Sequence, residues 1–140
     1  MYKTELDAGV AGAIANTENK NVISRTVQGA GGIKFGTAVV QGDADKTVRV
    51  PTTGDTAFVG VAALDRTARN LTFGGFIENE TARILEEGVI WVEVTEAVSA
   101  GDAATVDLTT GKFNKSGAAF AGAIFDTSAA SGALAQLRIK

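Results

Sequence analysis

The chain has 140 residues, a formal net charge of −3, and neither cysteine nor histidine. Those two absences exclude disulfides, thiolate or histidine-based metal sites and every nucleophile that needs a histidine base, and the lack of a basic run argues against nucleic acid as a partner. Hydrophobic residues at 45% against charged ones at 21% give a globular balance, and one domain of this size buries ~68% of its unfolded surface, enough for a core.

Residues 1–10 mix Lys3, Glu5 and Asp7 with isolated apolar residues. That is unlike the continuous apolar stretch of a signal peptide, so secretion by that route is not indicated and synthesis in a cytoplasm is expected. No stretch approaches the ~20 apolar residues of a bilayer span, and no membrane role is expected. Through residue 31, Gly9, Gly12, Asn16, Asn19 and Asn21 interrupt scattered apolar anchors at Tyr2, Leu6, Val10, Ile14, Val22 and Ile23. The spacing matches neither a helix nor a strand and predicts an extended arm. Gln28-Gly29-Ala30-Gly31-Gly32 then reads as a flexible joint.

From residue 33 onward, short β-branched runs recur between turn signals at the ~8–12-residue spacing of a sandwich or barrel. The expected strands cover residues 33–40, 47–50, 57–64, 81–86, 89–94, 103–108, 119–126 and 133–139. Gly42, Gly54, Gly88, Gly101 and Gly111 sit at the expected reversals, where a residue tolerating positive φ is needed. Pro51 reads as a strand terminator. In residues 89–94 the apolar Ile90, Val92 and Val94 alternate with Val89, Trp91 and Glu93, which predicts a strand covered on both sides. Leu64, Ala68 and Leu71 have rough helical spacing, but Gly74-Gly75 limits any helix there to one or two turns. Residues 128–132 read as a hairpin connection.

The candidate chemical motifs have simpler readings. Gly29, Gly31 and Gly36 do not form G-x-G-x-x-G, and Gly111-Lys112 lacks the rest of a P-loop. Asp43 and Asp45 could open a calcium loop, but Val48 and Gly54 stand where the turn glycine and the bidentate acid belong. Glu78, Glu80, Glu86, Glu87, Glu93 and Glu96 form an acid-rich stretch from which a glycosidase pair could be drawn. Trp91 and Glu93 share a strand face and could form a sugar-binding shelf, against the simpler reading of a half-buried Trp with a rim carboxylate. Three N-x-S/T sequons, at Asn70, Asn79 and Asn114, read as chance matches. No cofactor and no metal site is expected.

The opening Leu6-Asp7-Ala8-Gly9-Val10-Ala11-Gly12-Ala13-Ile14-Ala15-Asn16, followed by Val22-Ile23-Ser24 and Gly29-Ala30-Gly31-Gly32-Ile33-Lys34-Phe35-Gly36, resembles the small capsid cement, or decoration, proteins of tailed bacteriophages. The likeness continues through Phe58-Val59-Gly60-Val61-Ala62, Gly88-Val89-Ile90-Trp91-Val92 and Val98-Ser99-Ala100-Gly101-Asp102. It rests on order and length, not on a catalytic fingerprint. The resemblance implies an all-β, jelly-roll-like sandwich or barrel that oligomerises on the capsid exterior and clamps adjacent subunits of the major capsid protein.

The sequence therefore predicts a non-enzymatic virion protein with an arm at residues 1–31 and a β domain at residues 32–140. Tyr2, Lys3, Leu6, Val10, Ile14, Ile23 and Arg25 are the expected capsid or subunit contacts; burial inside their own subunit is the plain alternative. Symmetric self-assembly is expected because exposed sheet edges need covering, with a homodimer favoured and a trimer as the alternative. A carbohydrate-binding β-sandwich built on Trp91 and Glu93, and a small hydrolase using Glu86, Glu87 and Glu93, are the rival classes.

Overall fold

A computed structural model of the chain describes residues 11–15, 20–55, 57–65, 68, 70 and 72–140. Among the described residues there are eleven strands and no helix. In chain order they are β1 (Asn21–Val27), β2 (Ile33–Lys34), β3 (Ala38–Gln41), β4 (Thr47–Arg49), β5 (Phe58–Ala62), β6 (Gly75–Phe76), β7 (Thr81–Glu93), β8 (Ala103–Val106), β9 (Phe113–Asn114), β10 (Ala118–Phe125) and β11 (Leu134–Ile139). The all-β expectation is met.

Five strands close on themselves in the order β1-β4-β3-β5-β7 and back to β1. The β1–β4 contact is parallel, Thr26 opposite Thr47, and the other pairings are antiparallel. This barrel has no free edge along its closed seam, which is how a small β protein avoids indiscriminate strand pairing. The sheet then continues from the second half of β7 through β11, β10, β8 and β9. A parallel bridge between Val94 and Phe113 brings β9 back to the end of β7.

β7 joins the two halves. Residues 81–86, expected as one strand, and 89–94, expected as another, form a single strand to Glu93; Gly88 is not a reversal. Gly88 keeps a positive φ of 133°, and a Cβ there would lie 3.0 Å from the Cβ of Lys20. The glycine admits a neighbouring chain instead of turning its own. One edge of β7 pairs with β1 over Thr81–Glu87, and beyond it Ile14 bridges Ile90. The other edge pairs with β5 and then with β11.

The shared layer β3-β5-β7 separates two cores, and strand periodicity sends adjacent residues to opposite sides. Val39, Ala62 and Ile84 point into one core with Val27, Ile33 and Phe76. Ala38, Val61 and Leu85 point into the other with Ile90, Phe113 and Leu137. Phe35 meets Phe76 edge-on at 5.1 Å in the first. In the second, Phe58 of β5 stacks on Phe120 of β10 at 5.1 Å. Pairing of β10 with β8 skips from Ala119 to Ile124, and Gly122 adopts φ 81°. That bulge changes the inward spacing so that Phe120, Ala123 and Phe125 are all buried.

Other differences from expectation have local causes. The strand expected over residues 33–40 is broken into β2 and β3 at Gly36, whose φ is 82°. No helix forms at the described positions between residues 62 and 75. The joint at residues 28–32 is a packed turn: Gly32 donates its amide to the Gly29 carbonyl at 3.1 Å, and a Cβ on Gly32 would reach 2.5 Å from the Phe76 carbonyl oxygen. The described part of the expected arm lies in the fold. Asn21–Val27 is a barrel strand, and the Gly12 and Ala15 amides donate to the Trp91 and Val89 carbonyls at 2.8 and 2.9 Å.

Ile84→Ala and Leu85→Ala empty different cores of one strand, so each is expected to destabilise the whole chain by about 2–5 kcal/mol. Urea unfolding followed by both tryptophan fluorescence and circular dichroism should give one coincident transition for each variant. Separate transitions would show that the halves unfold independently.

Candidate functional site

The described surface offers a groove of about 540 Å³ where the two halves of the fold meet. The barrel side contributes Lys34, Val50 and Phe73, and the other side contributes Glu93, Thr110 and Lys112. Each is placed by a nearby turn. The Gly74-Gly75 step brings Phe73 beside β2, because a Cβ on Gly75 would lie 2.1 Å from the Ile33 carbonyl oxygen. The Lys34 ammonium then stands 5.4 Å from the Phe73 ring centroid, a cation–π distance. The Ala38 amide donates to the Gly111 carbonyl at 2.9 Å, which fixes the turn carrying Thr110 and Lys112 against β3.

Val50 is 41% exposed. Its backbone is held by the turn that follows β4. Arg49 donates two hydrogen bonds to the Asp55 carboxylate, at 2.9 and 3.2 Å, and a third to the Val50 carbonyl at 3.2 Å. Asp55 also accepts the Thr52 amide at 2.6 Å. The guanidinium first, and then the Thr52 amide, lower the Asp55 pKa from 3.8 to about 2. The second large exposed hydrophobic among the described residues, Ile124 at 37%, stands apart on β10 beside a shallower apolar hollow shared with Ala103 and Ala121.

The acidic residues are distributed over structural tasks. Glu93 pairs with Lys112 at 3.0 Å, each side chain 39% exposed. Trp91 shares its half-exposed face, as the alternation predicts, but the carboxylate of that shelf is turned to the lysine. Glu80 is buried and accepts the Ile77 amide at 3.0 Å. Glu86 accepts a hydrogen bond from the Asn21 amide side chain. Glu96 accepts the Ser116 hydroxyl and the Lys115 amide, which hold its pKa below the ordinary carboxylate value. Asp43 is latched to Gln28, donating its amide at 2.7 Å and accepting the side-chain amide at 2.9 Å. Among the described residues no three potential metal-ligating acids cluster.

Of the seven expected contact residues, Tyr2, Lys3, Leu6 and Val10 lie outside the described residues. Ile14 and Ile23 are half-buried against the two cores of their own subunit. Arg25 lies half-buried on β1 and donates to the Ser24 carbonyl at 2.9 Å. These three do not line the groove, whereas Ala11, just past the end of the first ten residues, does. Sequence reasoning missed Lys34, Val50, Phe73 and Lys112 as a group. Only the Val50-Pro51 strand end gave a signal.

Comparison with known proteins follows the same lines. A family described as "Structural cement protein (E217 gp24/Pam3 gp6)" matches residues 1–140. No curated protein matches the sequence. A chain in the solved capsid of Myoviridae phage XM1 is 21% identical, with a TM-score of 0.75 over 99% of this chain and 94% of that one, and shares its fold. The head fiber gp8.5 N base of bacteriophage phi29 is 8% identical, with a TM-score of 0.49 over 87% of this chain and 95% of that one.

Protonating Asp55 releases the Arg49 bond, so the sign of the pH effect is fixed: the folded pKa is depressed, and the stabilisation is complete above the unfolded value. It is lost as pH falls through about 2. The stability difference between the wild type and Asp55→Asn should therefore shrink as pH is lowered from about 5 to about 2. Urea titrations at several pH values measure it, and a difference independent of pH would contradict the assignment.

Proposed function

Because the chain belongs, over residues 1–140, to the structural cement proteins of phages, we propose that it binds the outer surface of a capsid and clamps adjacent subunits of the major capsid protein. The family places it in the virion as a structural component. The observation that carries the proposal is the family match across residues 1–140. The described surface agrees with an adhesive role, since its two large exposed apolar side chains, Val50 and Ile124, sit on a groove and a strand face.

A cement protein has to hold neighbours without turning over a substrate. Apolar burial supplies ~25 cal/mol per Å², and docking costs reduce it. Several copies acting on one shell recover affinity through avidity. We assign the direct shell contact to residues 1–10, with Tyr2, Lys3, Leu6 and Val10 as its anchors. Ile14 and Ile23 pack against the cores of their own subunit, and Arg25 lies half-buried on β1. A homodimer presents two such segments to neighbouring subunits.

The barrel position of β1 dictates the test. Removing residues 1–31 would delete a strand that closes the barrel, whereas removing residues 1–10 leaves every described strand in place. The shorter truncation is expected to keep its melting temperature and to lose roughly tenfold or more in affinity for empty shells, about 1.4 kcal/mol per tenfold step. Cosedimentation with shells and the melting temperature of the shells report it. Full binding by the truncated protein would remove residues 1–10 from the contact.

A further inference from the structure

We infer that the groove between Lys34, Val50 and Phe73 on one side and Lys112 on the other is a second docking surface, and that it takes an extended segment of the capsid protein carrying a carboxylate beside apolar side chains. The inference rests on the capsid-binding reading above and names the chemistry of the partner.

Position is the first support. Ala11, next in sequence to the segment assigned above to the shell contact, lines the groove. Charge is the second. The chain as a whole is acidic, at −3, but among the described residues the groove carries Lys34 and Lys112 against one carboxylate, that of Glu93. Lys112 already faces Glu93 at 3.0 Å, whereas the Lys34 ammonium rests over the Phe73 ring. The groove is thus a local excess of positive charge on an apolar floor, and it complements a carboxylate flanked by apolar groups. Shape is the third. Gly31 and Gly74 border the groove, and a Cβ on either would meet nothing within 4 Å. Walls without side chains let another backbone approach closely, as an extended segment requires. Val50, exposed at the rim, then has an apolar surface to cover it.

Two substitutions act on different parts of this argument. Gly31 does not have a positive φ and has open space above it, so Gly31→Leu fills the groove without backbone strain. Lys34→Glu reverses the charge that rests over the Phe73 ring. Lys46→Glu, on the exposed turn between β3 and β4 and outside the groove lining, makes the same change in net charge. Binding of each full-length variant to empty shells of the phage that encodes it is measured by cosedimentation at low and high salt, with melting temperature and light scattering on the isolated protein.

Gly31→Leu and Lys34→Glu are each expected to weaken shell binding roughly tenfold. Lys46→Glu should bind as the wild type does, and Lys34→Glu should also flatten the salt dependence. Unchanged binding by both groove variants overturns the docking surface and leaves the cement function standing. If Gly31→Leu instead splits an oligomer of the isolated protein, the occupant is a second copy, and the inference is wrong. Failure of the wild type itself to bind shells would sink the functional reading and this inference together.

Discussion

The fold depends on one thirteen-residue strand that is engaged on both faces and both edges. Ile84 and Leu85, adjacent in β7, point into different cores, so the strand cannot shift by one residue without exchanging them. Its two edges carry β1 with the Ile14 bridge on one side and β5 with β11 on the other. A barrel and a second curled sheet can then share one layer. Phe58 on Phe120 adds a contact across the same boundary. The groove exists because the two halves meet there and leave a gap that glycines line.

Much of this was legible where strands are long and bounded by glycine. The runs at residues 103–108, 119–126 and 133–139 correspond to β8, β10 and β11, and Gly54, Gly101 and Gly111 turn the chain with positive φ. Gly88 misled because glycine between two apolar runs has the same sequence signature whether it turns its own chain or makes room for another. Only the nearness of Lys20 distinguishes the cases. β6 and β9 are two residues each and too short to show a period. β1 reads as arm in the sequence because Asn21 and the glycines and asparagines before it interrupt the apolar anchors, whereas in the fold the adjacent Val22 and Ile23 pack toward different cores.

The groove was illegible for a different reason. Lys34, Val50, Phe73 and Lys112 come from four separate segments, and none of them belongs to a motif. Cement chemistry has no fingerprint comparable with a metal-ligand spacing or a nucleophile elbow, because adhesion asks only for shape, exposed apolar area and a complementary charge. The family likeness therefore had to be read from the order of unremarkable segments. Of the carboxylates that invited catalytic readings, Glu80 accepts the Ile77 amide, Glu96 accepts the Ser116 hydroxyl and Glu93 pairs with Lys112.

The pairing of residues 12–15 and β1 along a single edge of β7 has a mechanical consequence. A tug on residue 11 along the strand axis loads the rungs of residues 12–15 and those of β1 side by side, as in a lap joint, so they must slide together before any one parts. That joint resists stretching along β7 more strongly than peeling away from it.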